Sequence, residues 1–190
     1  MKFVSKNIYN ILFLASLLFL SCQKQSEISK NFNCETSVFN NLETVDDVKD
    51  LFSLDIPENW KTNLYQDEVQ SSIFTADTTK QLTETMLLDV TFIQNKIAFN
   101  DAFILQQEQE NLAKGLIKTK SKQILLLEKS SLYLYFKGKK GKFNYQVCNI
   151  FIKVNESNFV LAKAEVYGDS LVNNRFCEAF SLIENIKLKK

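Results

Sequence analysis

An α+β fold, with an antiparallel β-sheet flanked by helices, is the architecture this sequence predicts. Three observations predict it. Runs with apolar residues at every second position recur from residue 52 onward, two stretches carry apolar residues at helical spacing, and turn residues separate the last strands. With 190 residues, 45% of them hydrophobic and 16 of them Phe, the chain has material for one buried core and does not read as disordered.

In chain order, a short helix is expected over residues 44–51. Phe52, Leu54 and Ile56 then alternate with Ser53 and Asp55, predicting a strand that ends at Pro57, since the residue before proline favours extended backbone. Residues 60–65 and 69–75 predict a hairpin across Gln66, Asp67 and Glu68. Met86, Leu88, Val90 and Phe92 share one face of a further strand, with Asp89 and Thr91 on the other. Asn100 is placed to cap a helix carrying Ala102, Leu105, Leu112, Ala113 and Leu116 toward a stop near Gly115. Strands follow over 124–127, 132–136, 143–154 and 159–167. A closing helix is expected from Asn173 or Asn174, with Phe176, Ala179, Phe180, Ile183 and Ile186 on one stripe before Lys187, Lys189 and Lys190.

The segment Leu54-Asp55-Ile56-Pro57-Glu58-Asn59-Trp60, an apolar strand that breaks at Pro and resumes at Trp, resembles the opening of PsbP-like domains. The resemblance extends over about residues 50 to 188 through the order of elements, a β-rich first half, a central helix, a run of strands and a closing helix. It implies an α/β/α sandwich and a non-enzymatic binding or assembly role. Metal contacts described for the photosystem subunit of that family do not transfer, because no matching His exists.

At the N-terminus, Lys2 and Lys6 precede an uncharged apolar run from Ile11 to Leu20, too short for a membrane span of about 20 residues and shaped as a secretory signal. Phe19-Leu20-Ser21-Cys22 resembles the lipobox of bacterial lipoproteins, with Leu20 standing where a smaller or β-branched residue is usual. That resemblance implies cleavage before Cys22 and acylation, palmitate included, of its thiol and amine. Gln23-Lys24-Gln25-Ser26-Glu27 loosely resembles the tag that sends some lipoproteins to the outer membrane. The expected organisation is a signal peptide over 1–21, a lipidated Cys22 and flexible tether over 22–36, and a single PsbP-like domain over 37–190.

Chemistry is narrowed mostly by what is missing. The absence of His removes the usual general base, the Ser and Cys triads and the commonest metal ligand. Four glycines, at 115, 138, 141 and 168, form no phosphate loop, and the acidic groups at Asp46, Asp47, Asp50 and at Asp67-Glu68 lack a calcium loop's glycine. No catalytic residue, metal or cofactor is expected.

Beyond Cys22 three cysteines remain, and in an oxidising compartment three pairings are open. Cys148, mid-strand beside Ile150 and Ile152, reads as a small buried hydrophobe. Cys34 and Cys177 are the candidate bridge, which would pin the start of the folded part to its last helix.

Charge is uneven: residues 22–110 hold 6 Lys against 16 Asp and Glu, while residues 114–142 hold 9 Lys against one Glu. Lys137, Lys139, Lys140 and Lys142 form a candidate basic interaction patch in a glycine-flanked hairpin loop, suited to anionic head groups or an acidic partner. A solvated turn is the plainer explanation. Lys118, Lys120 and Lys122 make a second cluster. Tyr133, Tyr135 and Tyr145 either line a groove with Trp60, Tyr65 and Phe74 or, alternating with Leu132, Leu134 and Phe136, belong to a sheet covered on both sides. Together these features predict an envelope lipoprotein attached to a membrane, the outer more than the inner, periplasmic or surface-facing, that binds a protein partner. The alternative is a carrier or sensor of a small ligand. Nucleic acid is not expected as a partner of an exported, near-neutral chain with one Arg.

Overall fold

A computed structural model describes residues 25–35 and 39–189. The expected signal peptide and Cys22 lie outside the described residues. Seven antiparallel strands form the main sheet in the order β3-β4-β5-β9-β8-β7-β6, from β3 (Lys61–Gln66), β4 (Gln70–Ala76), β5 (Met86–Ile93), β6 (Leu116–Leu126), β7 (Lys129–Lys140), β8 (Phe143–Lys153) and β9 (Phe159–Tyr167). A smaller sheet joins β1 (Leu42–Asp46), β2 (Phe52–Pro57) and the closing β10 (Lys187–Leu188). Among the described residues there are three helices: α1 (Glu27–Asn31), α2 (Asp101–Leu112) and α3 (Val172–Ile183). The fold is α+β, as the alternation predicts.

Period-two alternation explains the layering. On β7, Tyr133 and Tyr135 turn to one side and Leu132, Leu134 and Phe136 to the other, and all five are buried. The main sheet is therefore covered on both faces over its centre. One core gathers Leu88, Val90, Ile150, Ala162 and Ala164 against α3, α1 and the small sheet. The other packs Leu134, Phe136, Val147 and Phe151 against Ile97, Phe103 and Ile104 around α2. The tyrosine group thus divides: Tyr133 and Tyr135 belong to the first core and Tyr145 to the second.

The central helix begins as its cap predicts, with Asn100 Oδ1 accepting the Phe103 N–H at 2.9 Å. It stops at Leu112, and Gly115 at φ +76° turns the chain into β6. Gly138 lies where β7 crosses that turn. A Cβ there would stand 2.3 Å from the Gly115 carbonyl oxygen, so no other residue fits.

Three expectations are corrected. Residues 44–51 are not helical, because the Asp47 carboxylate accepts N–H groups from Lys49, Leu51 and Phe52 and fixes a turn between β1 and β2. The closing helix starts at Val172 rather than at an asparagine, with Leu171 at φ +46° and no side-chain cap, which puts Cys177 in the second turn. The described residues between 25 and 35 are also not a tether. Ser26 accepts the Ser29 N–H to cap α1, and Ile28 and Phe32, four residues apart on one helical face, are 1% and 6% exposed. The polar composition around them concealed the pair.

Phe32 sits edge-on to Tyr133, Tyr135 and Phe180, at centroid distances of 5.7, 5.3 and 4.8 Å. Ser29 and Ser26 donate to the Glu184 carboxylate beyond α3. Cys34 and Cys177 are disulfide-bonded across a separation of 143 residues, closing a loop worth about 5 kcal/mol in the chain-entropy model. Cys148 is free and fully buried, and burial pushes its thiol pKa up. The single arginine, Arg175, is buried and donates from Nη1 to the carbonyls of Thr85 and Tyr167 at 2.9 Å, tying α3 to the ends of two strands.

Phe32→Ala tests whether the N-terminal segment is part of the core. The expected loss is about 3–5 kcal/mol of unfolding free energy by urea titration; a loss below about 1 kcal/mol would return residues 26–34 to the status of a tether.

Candidate functional site

β7 runs on to Lys140, so the expected basic loop is mostly strand and only Gly141 and Lys142 turn. Strand alternation then separates Lys137 from Lys140. Lys137 Nζ lies over the Tyr135 ring at 5.4 Å on one face, while Lys140 Nζ lies 5.0 and 5.4 Å from the Tyr145 and Tyr167 rings on the other. Lys142 stands over Phe143. The second cluster divides as well. A bulge between Lys118 and Lys120 on the edge strand β6 leaves Lys118 paired with Glu108 of α2, whereas Lys120 covers Phe32 and Lys122 donates to Asn31 of α1. Lysines along a sheet edge also discourage edge-to-edge pairing. Residues 116–123, unread as strand in the sequence, owe that to this same edge position, which lets polar side chains fill both faces.

The structure gathers its chemistry on β8 and β9 instead, beneath the C-terminal end of α2. A cavity of about 450 Å³ opens there, floored by Tyr145, Asn149, Lys163 and Glu165. Register sets the floor: Val147 faces Glu165 and Asn149 faces Lys163 across β8–β9, while Lys163 faces Asp89 on β5. Glu165 is buried and holds three partners. Tyr145 donates its hydroxyl to Oε2 at 2.7 Å, Lys163 Nζ meets Oε1 at 2.7 Å, and Lys140 Nζ stands 3.9 Å from Oε2. Lys163 also reaches Asp89 at 3.8 Å.

Burial opposes ionisation of Glu165, but hydrogen bonds from Lys163 and Tyr145 and the charges of Lys163 and Lys140 outweigh it and hold the carboxyl below its ordinary value. Burial, then the Glu165 carboxylate, push the Tyr145 hydroxyl far up. A hydrogen bond with Tyr167 and the nearby Glu165 raise Lys140 against the smaller opposing effect of burial. Each proton is therefore fixed well away from neutrality.

Lys163, Glu165 and Asn149 were not singled out from the sequence. A signal existed. Lys163 and Glu165 occupy alternate positions of a strand whose other positions, Ala162, Ala164 and Val166, are purely apolar. Trp60 is buried against Phe39 and Tyr65 is exposed at 58%, so neither joins this site. Among the described residues no three His, Cys, Asp or Glu side chains gather as a metal group, and no helix is long and apolar enough to cross a membrane.

No family model matches the chain, and no curated protein does. Solved structures share its fold. The Ran-binding protein Mog1p of Saccharomyces cerevisiae superposes with a TM-score of 0.50 at 9% identity, covering 78% of this chain and 95% of its own. A point mutant of Mog1 gives 0.51 at 9%, over 78% and 96%. A protein from Bacteroides thetaiotaomicron gives 0.50 at 12% over 80% of this chain, which spans 50% of that chain's length. LpqN of Mycobacterium tuberculosis, described as involved in cell envelope biogenesis, gives 0.47 at 13%, over 80% and 93%.

Because the folded-state pKa of Glu165 is depressed, its ionisation stabilises the fold above the ordinary glutamate range, about pH 4.3, and that contribution is lost as pH falls through the lower folded value. In thermal melts across pH, the gap in Tm between the native chain and Glu165→Gln should be widest at neutral pH and close on acidification. A gap independent of pH would contradict the assignment.

Proposed function

We propose that this chain is a lipid-anchored, non-enzymatic binding module of a bacterial cell envelope, held to the membrane by acyl groups on Cys22 and engaging a protein partner through the α2 side of its main sheet. The observation that carries the reading is the incomplete cover of that side. α2 and the segment leading into it pack beside β6 to β8, and Leu87, Asp89, Leu161 and Lys163 on the neighbouring strands stay partly exposed. Apolar and charged side chains thus alternate on an accessible, rigid surface, the composition of a recognition face. A site built for acid–base catalysis would hold a group titrating near the working pH, whereas Glu165, Lys140 and Tyr145 are all driven away from it.

The anchor reading rests on the Ser21-Cys22 junction after the apolar run. Two residues separate Cys22 from Gln25, a reach of at most about 11 Å over three peptide links, so a lipidated chain would carry its α1 side, with Lys30, Lys120 and Lys122, next to the membrane. The α2 side would then face away and stay open to partners. Mog1p, described as Ran-binding, is a precedent for a protein partner on this fold. The order of elements also fits the PsbP-like arrangement expected from residues 54–60, and the sequence after Cys22 fits the outer membrane. The roughly 450 Å³ cavity supports a second reading, a carrier or sensor of a small ligand.

One experiment in the native host tests anchor and face together. With a photo-crosslinking residue at Asp89, the chain should fractionate with membranes and trap one discrete protein; the same residue at Glu156 should trap none, and adding Cys22→Ala should release the folded chain from the membrane. Membrane retention of Cys22→Ala would overturn the anchor, and no adduct from Asp89 would overturn the binding face.

A further inference from the structure

We infer that the cavity beneath the end of α2 is a site for a small amphipathic carboxylate, a molecule with one anionic group, an apolar body and a hydrogen-bond donor. This deepens the small-ligand reading and rests on it. The cavity wall carries Lys114, Lys139, Lys140 and Lys163 against only Glu110 and Glu165. Glu165 is already satisfied by Lys163, Lys140 and Tyr145, and Glu110 accepts hydrogen bonds from Gln106 and Gln107. Lys114 and Lys139, both exposed, enter no ion pair among the described residues, and four lysines against two glutamates leave the lining with a net charge of +2. An anion is what such a rim attracts.

The floor supplies the second, independent observation. Asn149 is 8% exposed, lines the cavity, and its buried Oδ1 has no hydrogen-bond partner in the structure. An orphaned buried amide oxygen carries a desolvation penalty that a ligand N–H or O–H would relieve once the Asn149 side chain turns its oxygen into the cavity. Beside it Leu116, Val147 and Leu161 give apolar wall. Charge at the rim, an unpaired acceptor on the floor and apolar wall between them specify the ligand's three parts in order. The same arrangement disfavours a cation, which would meet the lysines first.

Indole-3-acetate is a suitable probe, since it joins a carboxylate, an apolar ring and an N–H donor; tryptamine replaces the carboxylate with an ammonium and serves as its control. In calorimetric titration of the full-length purified protein, indole-3-acetate should bind and tryptamine should not. Lys114→Glu and Lys139→Glu, both at exposed positions, should each weaken binding about tenfold while leaving the melting temperature unchanged. Lys61→Glu, at an exposed lysine on the far edge strand β3, should leave binding unaltered. Equal binding of tryptamine, insensitivity to both rim substitutions, or no binding of the probe would overturn the inference. A chain that fails this titration yet still crosslinks from Asp89 would overturn the inference and leave the protein-binding face standing.

Discussion

Everything in this fold depends on the register of β9. Its even-numbered positions, Val160, Ala162, Ala164 and Val166, are completely buried, and its odd-numbered positions carry Phe159, Leu161, Lys163, Glu165 and Tyr167. Two successive alanines on the inner face leave room for α3 to lie against the sheet with Phe176, Phe180 and Ile183. A slip of one residue would exchange the faces and drive a lysine and a glutamate into the aromatic core. The pattern that seats the closing helix thus also delivers the charged floor of the cavity. Fold and site are two consequences of one alternation.

The closure of the first core follows the same economy. α1 is five residues long, too short to persist alone, and is held by what surrounds it: Phe32 among four aromatic rings, two serine hydroxyls on Glu184, and the Cys34–Cys177 bond into α3. These contacts join the start of the folded chain to its last helix. An acyl anchor at Cys22 would accordingly pull on the core itself, through a link of only two residues.

Strands with strict alternation were legible in the sequence. Phe52, Leu54 and Ile56 on β2, Met86 to Phe92 on β5 and the β7 tyrosines all lie where period two puts them, and Asn100 caps its helix as its residue type suggests. The features that escaped did so for physical reasons. β6 lies at an edge, where lysines replace the apolar face that identifies a strand. The turn at Asp47 is made by one carboxylate serving three backbone donors, which mimics the acidic start of a helix. α1 is recognised only through its tertiary partners. The cavity escaped because Lys163, Glu165, Tyr145 and Asn149 come from two strands, and only their pairing register brings them together.

The most direct test of this account is the accessibility of β9 read one residue at a time. Single cysteines at Leu161, Ala162, Lys163 and Ala164, probed with a water-soluble thiol reagent in the folded protein, report which face each position occupies. Fast labelling at Leu161 and Lys163, with protection at Ala162 and Ala164, is the predicted profile. Labelling of the alanine positions, or uniform reactivity along the strand, would contradict the register and with it the cavity, the paired charges and the seat of α3.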